Sequence, residues 1–481
     1  MAFNFRKQET EGSEPKKSRK DISLMDADER EETFQDEIKK IVDIMKYPPY
    51  AEYLIDATSN KAHLDKIYET ILNDPSFSMF LSHGNEKIAH IYANEVGGLG
   101  IIQRLIDAQA QSNGERITDI GFNSNGYLTV ETNKSKFTYG NHKGEPKVSA
   151  EYITRLVERL CQQEGSDGKA FNKNTPLFNG ANEVSLSGDG KTFLRISANE
   201  ISTSPYGTTL SIRLSSPYLA LTRDNFNSVA PMNQKLDTYN LLKILVECHC
   251  NIIISAETGA GKTELQKMLT GFIPFHDRII MIEDTQETRL PELYPTKDIF
   301  SWLTVEGKIT ITDLLKQALR NDPKWIIVAE TRGSEAYEMF QGVKSGHFII
   351  TTMHSISNEA VPARFYGMAS TEYALNEQTT ERDFLNYMHI GIHLRKRDLE
   401  NGSVIRYIDE IAEFVPVSDK HPNGINVLFH QHVSAKGVRE VWTGRPSEYL
   451  QDKIYSERDS YLSEQEWKEY PKEKMLKDKI F

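Results

Sequence analysis

The run NIIISAETGAGKTELQKML, Asn251–Leu269, decides the fold. A short β-branched apolar stretch leads into a glycine-rich turn, and good helix formers follow, so the run reads as strand, loop and helix. Within it, Ala256–Thr263 meets the pattern G-x-x-x-x-G-K-[ST], except that alanine stands at the first glycine. Gly259 and Gly261 allow backbone N–H groups to turn inward around a triphosphate, and the start of the helix adds its positive end. Thr258, Gly259, Ala260, Gly261, Lys262, Thr263 and Glu264 are therefore the expected nucleotide-binding stretch, with Lys262 on the β/γ-phosphates and the Thr263 hydroxyl on Mg²⁺. The alanine costs little if its position keeps a negative φ.

Three further apolar runs follow at Arg278–Ile282, Trp325–Val328 and Phe348–Thr352, with helical patterns between them, the signature of parallel βαβ units. The first ends in Glu283-Asp284 and the second leads to Glu330. A single acid there reads as a solvated loop residue. Recurrence at successive strand ends beside a phosphate loop points instead to the crevice where ligands bind, with one carboxylate orienting Mg²⁺ through water and another polarising the attacking water. His347 and His354 bracket the third. They are either structural donors or, with Thr351-Thr352, sensors of the γ-phosphate; spacing leaves both open.

Outward from this core the texture changes. The chain has 481 residues, enough for two or three domains. The expected division is a disordered charged arm (1–35), a helical extension (36–110), an α+β N-terminal domain (111–228), an α/β nucleotide-binding domain (229–440) and a helical tail (441–481). The α+β unit is read from the alternating ITDIGFNSNGYLTVET (117–132), a helix over Glu151–Gln162 and strand-like FLRIS (193–197) and TLSIRL (209–214).

Lys+Arg number 57 against 69 Asp+Glu, a formal charge of -12, which weighs against a protein that coats nucleic acid by bulk attraction. Cys161, Cys248 and Cys250 are too few for a disulfide framework and fit a reducing compartment. The Cys248-His249-Cys250 run lacks the longer spacer and fourth ligand of a zinc site and reads as buried structure. No apolar stretch approaches the roughly 20 residues of a membrane span. The polar MAFNFRKQETEG is no signal peptide, so a cytoplasmic protein is expected.

Four blocks stand in order: AETGAGKT (256–263), IEDTQE (282–287), IIVAETRG (326–333) and GHFIITTMHS (346–355). This order resembles the Walker A, Asp box, Walker B and His box of the type II and type IV secretion and type IV pilus ATPases. Leu314–His347 resembles the helix, Walker B strand and helix of that superfamily, and GIHLRKRDLENGSVIRYIDEIAEF (391–414) its later strand and turn. The N-terminal segments look nearest the type IV secretion and tight-adherence pilus branch. The His347–His354 gap, however, is nearer the type II and pilus-motor spacing, and three cysteines cannot form the four-cysteine zinc motif of many type II enzymes.

The resemblance implies a RecA-like P-loop domain behind an α+β domain. It implies Glu330 as the residue that polarises water, Glu283 supporting Mg²⁺ or that water, and Arg195 and Arg213 approaching the γ-phosphate. His354, from the His box, joins the implied catalytic set. It further implies ATP and Mg²⁺ as cofactors, a homo-oligomeric ring, most simply a hexamer, and an inner-membrane platform protein as partner, with the chain peripheral to the inner face of the membrane. No direct nucleic acid partner is expected. Two rivals remain: a DNA-translocating motor of a conjugation-type machine, and a nucleotide-gated interaction module with little turnover.

Overall fold

A computed structural model describes residues 27–457, apart from 55–56, 58–59, 82–85, 111–114, 142–146, 162–169, 186–190, 216–217 and 232–235. Most of the charged arm and the stretch around Trp467 lie outside the described residues.

Two sheets organise these residues. The first contains β1 (Ile117–Phe122), β2 (Leu128–Thr132), β3 (Lys136–Tyr139), β4 (Leu177–Ser185), β5 (Lys191–Asn199) and β6 (Thr209–Ser215), in the order β3-β2-β1-β6-β5-β4. Every neighbouring pair is antiparallel. The register aligns Val130, Ile120, Ile212 and Ile196 in a row across four strands, all buried. The helix Ala150–Cys161 covers this face with Ile153, Leu156, Val157, Leu160 and Cys161, a spacing that places them along one helical stripe. Because side chains alternate along a strand, the next row projects to the other face. That row reads Arg195, Arg213, Asp119, Glu131 and Lys136 across β5, β6, β1, β2 and β3.

The second sheet contains β7 (Ile252–Ala256), β8 (Ile279–Glu283), β9 (Ile299–Leu303), β10 (Trp325–Val328), β11 (Phe348–Met353), β12 (Ile390–Asp398), β13 (Val404–Phe414), β14 (Ile425–Val433) and β15 (Arg439–Thr443). Its order is β15-β14-β13-β12-β7-β11-β10-β8-β9, parallel from β12 to β9 and antiparallel from β12 to β15. Strands β7, β8 and β10 are buried along their whole length because helices cover both faces. Ile252 and Ile254 pack with Leu242, Leu265 and Leu269 on one side, whereas Ile253 packs with Leu315, Phe340 and Phe365 on the other. The result is a RecA-like α/β layer with an antiparallel sheet extension.

Some sequence boundaries move. The helix Ala27–Met45 begins inside the segment expected to be a disordered arm, and buries Ile38, Ile41 and Met45 against the helices Lys61–Asn73 and Glu86–Gly97. Helix Ile101–Ala110, expected with the extension, instead shares the core of the first sheet through Ile101, Ile102 and Ile106. β15 crosses the expected boundary at 440, so the tail opens with an edge strand before the helix Glu448–Glu457. β9 had no counterpart in the sequence reading.

Candidate functional site

The phosphate-loop segment leaves the carboxyl end of β7 and enters the helix Lys262–Phe272. Ala256 is the last residue of β7 and is fully buried in the core, so its Cβ fills space that strand geometry already provides. Gly259 (φ +76°) and Gly261 (φ +100°) hold conformations that side chains resist, which is where the loop needs glycine. Thr258 is exposed, Ala260 is buried, and Thr263 lies half-buried in the first helical turn.

Among the described residues, the polar contacts of Lys262 Nζ are long: 3.4 Å to the Ala256 carbonyl, 3.5 Å to that of Glu257 and 3.3 Å to His354 Nδ1. Burial pulls its pKa below the ordinary lysine value; Glu330 opposes that shift and Arg213 adds to it. A partly desolvated cation beside two left-handed glycines at a helix start fits an incoming phosphate anion.

Glu330 and His354 converge on this lysine from neighbouring strands. His354 follows β11, and its Nδ1 faces the Ala256 carbonyl oxygen at 3.0 Å while its Nε2 lies 3.1 Å from Glu330 Oε1. Glu330 follows β10 by two residues and has Arg332 Nε at 3.8 Å. Behind them, Thr331 Oγ1 and Thr351 Oγ1 are 2.7 Å apart, and Thr352 Oγ1 donates to the Ala329 carbonyl at 2.7 Å. The two histidines separate: His347 sits at the opposite end of β11, where Nδ1 faces the Gly342 carbonyl at 3.2 Å and closes the preceding helix. A cavity of about 980 Å³ opens beside the loop, reaching Glu257, His354, His393 and Lys396.

Two expected residues are turned elsewhere. Glu283, at the end of β8, is buried, and accepts from the backbone N–H of Glu287 (3.1 Å) and Thr288 (3.0 Å) and from the Thr288 hydroxyl (2.8 Å). Burial raises its pKa, with those donors pulling the other way. Its carboxylate therefore staples its own loop in this structure. Glu264 is directed to Lys267 Nζ (2.9 Å) and the Ala220 N–H (3.2 Å), binding the helix to the segment that follows β6.

The N-terminal sheet closes over the site with its charged row. Arg195 pairs with Glu287 of the stapled loop at 3.0 Å, and Arg289 of that loop stacks on Phe193, two residues from Arg195 on the same face of β5. Arg213 is held by Asp119 at 3.1 Å and lies close enough to Lys262 for their charges to oppose. Glu131 meets both Lys396 Nζ and Arg406 from β12 and β13, each at 2.5 Å. These last three were missed in the sequence, although Lys396 and Arg406 fall inside the segment 391–414 whose resemblance was noted. His249 of the Cys-His-Cys run is buried, with Nε2 2.8 Å from Asp277 and its ring stacked on Phe348.

Comparison with known proteins adds the family. The model of the type II/IV secretion system protein family matches residues 179–381, from β4 past the His box. An uncharacterized protein of Bacillus anthracis is 34% identical over 84% of this chain and 87% of its own. The type IV secretion system protein PtlH of Bordetella pertussis is 37% identical over 24% of this chain and 36% of its own. VirB11 of Bartonella quintana, also a type IV secretion system protein, is 36% identical over 40% of this chain and 50% of its own. The chain thus spans half or less of these two named relatives. With its phosphate loop, its strand-end carboxylate and its N-terminal sheet arranged as described, the chain belongs to the type II/IV secretion ATPase superfamily.

Proposed function

We propose that this protein is an ATP-hydrolysing motor that powers assembly of, or transport through, a cell-envelope secretion or type IV pilus system. The observation that carries this reading is the convergence of Lys262, His354 and Glu330 at the carboxyl ends of the adjacent strands β7, β11 and β10. In the proposed reaction a water oxygen attacks the γ-phosphorus, the bond to the β–γ bridging oxygen breaks, and the water proton passes to the Glu330 carboxylate. Lys262 and the loop N–H groups hold the phosphate oxygens. Arg213 and Arg195 offset charge on the transferring group once they exchange Asp119 and Glu287 for it. His354 keeps Glu330 oriented against the loop. Thr263 is the residue suited to hold Mg²⁺, which when bound neutralises charge on the phosphate oxygens.

The match to secretion relatives supports the setting: a ring of identical chains, with six as the proposed number, docked at the inner face of a membrane on a platform protein. Among the described residues no helix is long and apolar enough to cross a membrane. The proposed division is a helical front, an N-terminal α+β domain and a RecA-like domain.

Phosphate release by the purified full chain tests the reading: Mg²⁺-dependent turnover that Lys262→Ala abolishes supports it. Turnover absent in the wild type, with nucleotide bound, would favour a gated module. Strong stimulation by DNA with a steep salt dependence would favour a nucleic-acid motor.

A further inference from the structure

We infer that Arg406 is a positioning residue that sets the shape of the phosphate loop according to where the N-terminal sheet stands, with Glu131 as its anchor. This inference rests on the nucleotide-hydrolysis reading and deepens it.

The loop end of the connection is one hydrogen bond. Arg406 Nε donates to the Gly259 carbonyl at 2.7 Å. In a trans peptide the C=O and the following N–H point to opposite sides, so holding the Gly259 carbonyl fixes the direction of the Ala260 N–H. Gly259 sits at φ +76° with no Cβ, a backbone with more conformational freedom than other residues have, so an outside partner helps hold its peptide in one orientation.

The other nitrogens of the same guanidinium belong to the opposite lobe. One terminal nitrogen reaches Glu131 Oε1 at 2.5 Å, and the other reaches the carbonyls of Thr132 and Asn133, each at 3.3 Å. The group is planar and its donors stand in a fixed fork, so it cannot follow the end of β2 and keep Gly259 unmoved. Glu131 is itself held, since Lys396 Nζ contacts the same oxygen at 2.5 Å. The side chains of Glu131, Arg406 and Lys396 are only 11%, 18% and 21% exposed, so their attraction is less screened than that of a surface pair.

The backbone around this cluster makes the link stiff. Ser135 bridges to Ser403, and the Val404 N–H donates to the Lys134 carbonyl at 2.5 Å, joining the β2–β3 turn to the start of β13. The turn is braced by Glu115, which accepts from the Thr132 hydroxyl at 2.6 Å and from the Ser135 hydroxyl. A shift of this edge of the N-terminal sheet therefore moves Arg406, and Arg406 moves the Gly259–Ala260 peptide. By reciprocity, a nucleotide that favours one orientation of that peptide holds the end of β2 against β13.

The test uses the full chain and fluorescent ADP, with wild type, Lys262→Ala, Arg406→Ala, Arg406→Lys, Glu131→Ala and the Glu131→Ala/Arg406→Ala double variant. Arg406→Ala is expected to weaken ADP binding about tenfold, as loss of a charge-assisted hydrogen bond does. Arg406→Lys, which keeps the charge but loses the fork, stays nearly as weak. Glu131→Ala weakens binding several-fold alone and adds nothing to Arg406→Ala, the non-additivity of residues acting through one another. ADP should slow amide exchange over residues 128–135 in the wild type and fail to do so in Arg406→Ala.

Additive losses, unchanged or tighter binding in Glu131→Ala, or protection that persists without Arg406 would each overturn the inference. If Glu131→Ala does not fold, the near-isosteric Glu131→Gln gives the same comparison at smaller amplitude. A wild type that binds no ADP would instead overturn the nucleotide reading; binding that Lys262→Ala abolishes but Arg406 and Glu131 do not affect would overturn this inference alone.

Discussion

His354 stands between Glu330 and the phosphate loop, with Nε2 3.1 Å from Glu330 Oε1 and Nδ1 3.0 Å from the Ala256 carbonyl oxygen. One imidazole thus ties together the ends of three adjacent parallel strands, β7, β11 and β10. A displacement of any of the three alters the direction in which the carboxylate presents itself.

Glu330→Gln keeps the shape of the side chain and removes its basicity. Turnover should fall by about 10²–10⁴-fold while ADP affinity stays within twofold of wild type. Phosphate release measured beside fluorescent nucleotide binding checks this, and wild-type turnover would move the catalytic role to another residue.

Lys262→Ala should act with opposite sign on binding and on stability. Removing a charged phosphate donor should weaken nucleotide binding by about 10–100-fold or more. Burial lowers the pKa of Lys262 below its ordinary 10.5, so at neutral pH the unliganded fold carries the full cost of that charge, a cost relieved as pH rises from the folded pKa toward 10.5. The nucleotide-free variant should therefore melt no lower than wild type, whereas added ADP should raise the wild-type Tm alone. A clear fall in the variant's nucleotide-free Tm would contradict this account.

Glu283 separates loop building from charge. Glu283→Ala leaves the Glu287 and Thr288 N–H groups without their acceptor and should cost about 1–3 kcal/mol in denaturant unfolding. Glu283→Gln should cost less, because it retains an acceptor and carries no buried charge. Burial raises the folded pKa above the ordinary 4.5, so the folded state binds the extra proton between those values and wild-type stability falls as pH rises through that window. That contribution to the slope should vanish in Glu283→Gln, and its persistence would assign the slope to another group.

Arg195→Ala and Arg213→Ala should lower turnover by about 10²-fold with much smaller effects on nucleotide affinity, as expected for charge offered to a transition state. The Arg195–Glu287 and Arg213–Asp119 pairs are half-exposed, so unfolding free energy should change by less than about 1 kcal/mol. Equal loss of kcat and affinity would mark either arginine as structural.

The parallel sheet was legible because β7, β8 and β10 are buried on both faces and therefore written as near-continuous apolar runs. β9 was not, because IFSWL lies at the sheet edge, where partial exposure relaxes that requirement. Helix Ile101–Ala110 was assigned to the wrong core because its apolar stripe states that it is buried but not against what. His354 entered only through the resemblance of its block, since spacing left its role open. Lys262 was legible because a phosphate loop demands fixed spacing, and Glu330 because acids recur at successive strand ends. Glu131 was invisible for the converse reason: in the alternating LTVET it looks like any solvent-facing acid, and its partner Arg406 is 275 residues away. The stapling contacts of Glu283 were not legible, since a strand-end acid and a loop staple share one sequence signature.

The charged row on the N-terminal sheet lies one residue out of step with the row formed by Ile196, Ile212, Ile120 and Val130. Inserting or deleting a single residue within β1 or β6 would therefore drive a charge into the core while sending an isoleucine to the nucleotide side. Length changes in these strands are tolerable only in pairs, so the spacing of Asp119 and Arg213 can drift by substitution but not by indels. Homologues that keep this sheet should vary in length at the turns around Asn123–Gly126 and Ile201–Gly207, and hold β1 and β6 to constant length.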